Sequence, residues 1–152
     1  MDQREHFLII VDYEKWANEQ WIDFFTVAQS SPGGGQFAAN ADEVMGHIIS
    51  CYWHWFSLMS GTNVELSGDR RVDLAAQHAK MREFIANCDL DAKIEQSWPE
   101  FGTYEFVTYQ LVQHALSHGS YHRGQIRAMA EEHGFEDWPE TDFEVFGGVK
   151  IA

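Results

Sequence analysis

The chain has 152 residues, a length that suits one domain over 1–152 and buries roughly 70% of the surface its unfolded form exposes. Hydrophobic residues make up 45% and charged residues 22%, which excludes a disordered chain. Twenty-four acidic against ten basic side chains leave a net charge of -14, so neither nucleic acid nor an anionic membrane surface is expected as a partner.

A first amphipathic helix is predicted from about Glu5 to Gln29, with Leu8, Val11 or Asp12, Trp16, Trp21, Phe24 and Phe25 on one side. Ser30-Ser-Pro-Gly-Gly-Gly35 breaks it. Asn40 or Asp42 then suits the cap of a second helix through Val44, His47, Ile48, Cys51, Trp55 and Leu58, and Gly61 its end. After a polar stretch, Asp69 caps a third helix carrying Val72, Leu74 or Ala75, Met81, Phe84 and Ile85. Residues 88–102 read as an irregular or extended connector rather than a strand. A fourth helix runs from Thr103 to His133 and stops at Gly134; the tail from Trp138 through Phe143 onward is expected to pack back on the helices.

Four long helices without alternating strands predict an all-α four-helix bundle with a short C-terminal extension. The loop after the second helix is long enough to cross the bundle, so spacing alone admits two topologies. No apolar run approaches the ~20 residues of a membrane span, and the acidic amino terminus lacks the layout of a signal peptide. Cys51 and Cys88 form no CxxC pair. These features fit a cytoplasmic protein in a reducing compartment.

Eight histidines are the feature most open to a chemical reading. His114, His118 and His122 stand at successive i, i+4 positions, so neighbouring imidazoles share a helix face and two can converge on one ion. A third ligand must come from elsewhere. His47 is the best candidate, because the apolar stripe of the second helix surrounds it with Val44, Ile48 and Cys51. His54 and His114 fit either a second polar layer or further ligands. Cys51 is a soft donor one turn beyond His47 but reads better as core packing. Gln125 suits a place behind a ligand imidazole, and Glu43 one as base or fourth ligand, although acids are common in a helix's first turn. The ExxH pairs of di-iron bundles are missing, as are HExxH, GxSxG and a phosphate loop.

Tyr13-Glu-Lys-Trp-Ala-Asn18, Gly46-His-Ile48, Ser117-His-Gly-Ser-Tyr-His-Arg-Gly-Gln125 and Thr141-Asp-Phe143 together resemble the DinB-like superfamily, which includes the YfiT-like metal-dependent hydrolases. The resemblance implies an up-down-down-up bundle with a divalent metal on His47, His118 and His122, selecting His118 over His114. Zinc or nickel is the foremost expectation, with iron or manganese next. It further implies a small-molecule substrate, a low-molecular-weight thiol among the choices, and a homodimer. Ser117 stands where the family often has Asn. Two functions follow: a metal-dependent thiol transferase or hydrolase, or a non-enzymatic metal-binding or ligand-sensing bundle. No catalytic side chain is singled out.

Overall fold

The structure, a computed structural model, describes residues 1–148; residues 149–152, the end of the expected domain and tail, lie outside the described residues. Four long helices, α1 (Gln3–Ala28), α2 (Gly34–Ser60), α3 (Arg70–Asn87) and α4 (Thr108–Glu132), are joined by a hairpin of β1 (Lys93–Trp98) and β2 (Gly102–Val107) and followed by a short α5 (Phe143–Gly147).

Side-chain contacts fix the directions of the helices. Asp23 pairs with Arg71 and Asp12 with Arg82, so α1 and α3 run antiparallel. Phe37 meets His133 and Trp55 meets His114, which makes α2 and α4 antiparallel, while Asp42 pairs with Arg70 and Phe56 with Phe84, which makes α2 and α3 parallel. Glu14 contacts Arg123 and Phe24 contacts Phe135, so α1 runs with α4. The order is up-down-down-up, and residues 61–69 form the crossover. Its far end is anchored by Asp73, which accepts hydrogen bonds from the backbone and hydroxyl of Ser67 and the backbone of Gly68.

Local chemistry accounts for most helix ends. Asp2 and Glu5 form a reciprocal capping box on α1, and Asp69 accepts from the backbone N–H groups of Arg71 and Val72. Gly61 and Gly134 end α2 and α4 with φ of 68° and 79°. The start of α2 differs from expectation. Neither Asn40 nor Asp42 caps it, because the helix has already begun at Gly34 and carries Phe37, Ala38 and Ala41 into the core. Burial of those residues outweighs the poor helix propensity of Gly34 and Gly35. Asp42 instead grips Arg70 at 3.1 and 3.0 Å, and the guanidinium lies over Gly46, where a Cβ would sit 2.6 Å from it.

The connector is a second correction. Residues 93–107 form an antiparallel hairpin in which Ile94 faces Phe106 and Gln96 faces Tyr104. It takes Thr103 to Val107 away from the expected fourth helix, which therefore begins at Thr108. The junction is tied down by Thr108 and Tyr109, whose N–H groups donate to the carbonyls of Ala92 and Leu90, while Gln110 Oε1 accepts from the N–H of Val107.

The core draws on all four long helices, with Met45, Ile49, Met81, Ile85, Val112, Leu116 and Ile126 fully enclosed. The tail packs as expected: Tyr13 donates to the Thr141 carbonyl at 2.7 Å, and Phe143 and Phe146 lie against the Tyr13 ring.

Candidate metal centre

On α4, residues 111, 112, 115, 116, 119, 123, 126 and 130 point inward, a stripe that follows the helical period. His118 and His122 flank this stripe on the side facing α2 and are half-buried. On α2 the inward positions include 45, 48, 49, 52, 53 and 56. His47 falls between them and is exposed rather than enclosed in the apolar stripe, because Ile48 and Ile49 take the core. That position points it across the α2–α4 groove at the α4 histidines.

The three imidazoles meet there. Ring centroids are 5.1 Å apart for His47 and His118, 4.6 Å for His47 and His122, and 4.4 Å for His118 and His122. His118 Nε2 and His122 Nε2 are 3.1 Å apart. Nitrogen donors about 2.0–2.1 Å from a shared ion stand about 2.9 Å apart as octahedral neighbours and about 3.3 Å apart in a tetrahedron. The observed spacing lies between those values, so the donors of His118 and His122 fit one ion.

Two features hold lone pairs toward the centre. Gln125 Oε1 lies 3.0 Å from His122 Nδ1, and a carbonyl oxygen can only accept, so the proton sits on Nδ1 and the Nε2 lone pair faces His118. The pKa of His118 is pushed down to about 4, first by burial and then by the neighbouring His122, His47 and His114. Its imidazole is neutral at pH 7.

Cys51 joins the group from α2. It is half-buried rather than part of the enclosed core, and its Sγ lies 3.6 Å from each ring nitrogen of His47. One donor atom each from His47, Cys51 and His118 lie within 4.8 Å of one another. His114 is turned aside: it is exposed and packs on Trp55 with centroids 4.7 Å apart, and His54 lies edge-on to the same residue at 5.4 Å. Neither they nor Glu43 belong to this donor group among the described residues, and His122 also stands outside it, reaching it only through His118. Ser117 accepts a hydrogen bond from Gln113 and takes no part.

A second polar cluster, absent from the sequence reading, lies on the opposite side of α4. Arg123, 3% exposed, donates to both oxygens of Glu14 at 2.7 Å and also reaches Asn18, Ser120 and Tyr13. Burial alone would lower the Arg123 pKa, but the hydrogen bonds and charge of Glu14 outweigh it and raise the value. Gly119 makes room for the carboxylate, since a Cβ there would stand 2.1 Å from Glu14 Oε2. Glu14 and Asn18 are one turn apart on α1, but Asp12, Lys15, Glu19 and Gln20 beside them leave no distinct signal in the sequence.

This arrangement uses both halves of the segments Tyr13 to Asn18 and Ser117 to Gln125: one half locks α1 to α4, and the other faces α2. A model of the DinB family matches residues 2–146. The chain belongs to that family. Comparison with curated proteins gave no match, nor did comparison with solved structures. Membership of the DinB family and the His/Cys group together support a metal-dependent protein. Among the described residues no helix is long and apolar enough to cross a membrane.

Proposed function

We propose that His47, His118 and His122 hold one divalent metal ion, and that the protein is a metal-dependent enzyme acting on a small molecule as a thiol-dependent transferase or a hydrolase. The observation that carries this reading is the convergence of three imidazoles with His118 and His122 nitrogens 3.1 Å apart. Neutral imidazole donors leave a divalent ion with its full charge, so such an ion supplies Lewis acidity that favours ionisation of water or a thiol. Zinc and nickel suit this donor set best, followed by iron and manganese.

The chain's own contribution is position and access. Gln125 fixes the tautomer of His122, and the neutral state of His118 at pH 7 removes a positive charge that would repel a cation. His47 is exposed and opens the centre to solvent on the α2–α4 face, where a small substrate can approach. Tyr121, exposed and edge-on to His122 at 5.0 Å, supplies an aromatic wall beside that opening.

Metal analysis of protein purified without a histidine tag tests the reading. It predicts close to one ion per chain, either as purified or after reconstitution. Stoichiometry near zero after exposure to zinc, nickel and manganese overturns it.

A further inference from the structure

We propose that Cys51 is a ligand of the same ion, so that the donor set is three imidazoles and one thiolate. The inference rests on the metal reading above and adds a residue to it. Around a tetrahedral ion, a sulfur at about 2.3 Å and a nitrogen at about 2.0–2.1 Å stand about 3.5–3.6 Å apart. Cys51 Sγ lies 3.6 Å from the ring nitrogens of His47, and both stand within 4.8 Å of a donor nitrogen of His118. Because the sulfur is equidistant from both ring nitrogens of His47, it is aligned with the lone pair of neither, and a rotation of the Cys51 or His47 side chain brings it onto an ion held by one of them.

Helix geometry supplies the reason. His47 and Cys51 are one turn apart on α2, the spacing at which side chains meet on a helix face, and α4 brings His118 to the same groove. Among the described residues the only polar contacts of Cys51 Sγ are with His47. Cys88, by contrast, is at the end of α3, where its thiol faces the Ile85 carbonyl at 3.9 Å. Coordination converts the Cys51 thiol to thiolate and releases its proton to solvent. A soft sulfur donor favours zinc over manganese or magnesium. With four protein donors, an incoming thiol must enter as a fifth ligand or take the place of Cys51.

Cobalt-loaded protein provides the test. The unmodified chain is expected to show a near-ultraviolet thiolate-to-cobalt charge-transfer band together with visible d–d bands. Cys51→Ser should lose the first and keep the second, and should bind zinc at least ~100-fold more weakly in chelator competition, beyond the usual outer-shell loss. A measurement on the unmodified chain removes any dependence on the variant's folding: zinc should protect Cys51, but not Cys88, from alkylation by iodoacetamide. Bound cobalt without a charge-transfer band, a band that survives Cys51→Ser, or equal alkylation of Cys51 with and without zinc overturns the thiolate ligand and leaves the three-imidazole site standing. Failure to bind cobalt or zinc at all overturns both.

Discussion

Helix α4 carries two polar clusters on opposite sides, and they are built on opposite principles. Toward α1, Arg123 is enclosed and satisfied by Glu14, Asn18, Tyr13 and Ser120. Toward α2, His118 and His122 offer lone pairs to a half-open groove, with His47 and Cys51 opposite and no carboxylate in the donor group. Adjacent residues, His122 and Arg123, belong to different clusters because each helical residue turns ~100°. A cluster whose charges and hydrogen bonds balance within the protein is a structural joint. One whose donors converge without an internal cation is suited to bind something.

The largest effect should come from breaking the closed cluster. Arg123→Leu leaves Glu14 buried without its cation, and losing one partner of a buried ion pair costs about 3–5 kcal/mol. Denaturant unfolding should show a loss of that size; a change under ~1 kcal/mol would mean that the pair is not a joint. Glu14→Gln tests the other partner: it leaves the buried Arg123 guanidinium without its anion, a charge that cannot be shed by deprotonation, so a loss of similar size is expected.

A smaller, different loss is expected in the open cluster. Gln125→Ala removes the acceptor that holds His122 Nδ1–H, and outer-shell changes of this kind lower metal affinity about 10- to 100-fold. Because Gln125 is exposed, global stability should hardly move. An equal fall in stability and affinity would show that Gln125 acts through the fold.

The smallest effect is on pH dependence. His118 titrates near 4 in the folded protein, below the ~6.5 of an unfolded histidine, so the unfolded chain binds the extra proton between those values. Its contribution to stability is complete above about pH 6.5 and is lost as pH falls toward 4. Metal-free protein should therefore become less stable with acid over that window, and His118→Ala should flatten the slope.

The contrast also explains what could be read from sequence. The i, i+4 histidines announce themselves because the helical spacing that makes them a motif is also what brings His118 and His122 together. A stripe drawn through Val44, His47 and Ile48 cannot tell the core from its margin, so the sequence encloses His47 where the structure exposes it. Arg123 gives no hint of burial in the sequence, because its partners other than Ser120 lie more than 100 residues away on α1. The hairpin was hidden for another reason. Only Ile94, Trp98, Tyr104 and Phe106 carry its alternation, Pro99 interrupts the run, and the strands are largely exposed. At the start of α2, three glycines and a proline read as a longer break than they make, because Phe37 pulls the chain into helix through tertiary packing.

Competitive chelator titration of His118→Ala beside His114→Ala tests the central claim most directly, with circular dichroism confirming that both variants fold. These residues sit one turn apart on α4, but only His118 shares the donor group with His47. The account predicts that His118→Ala lowers metal affinity by more than ~100-fold, exceeding an outer-shell loss, while His114→Ala retains it within a few-fold. Retained binding in His118→Ala with lost binding in His114→Ala would contradict the account and put the site one helical turn away.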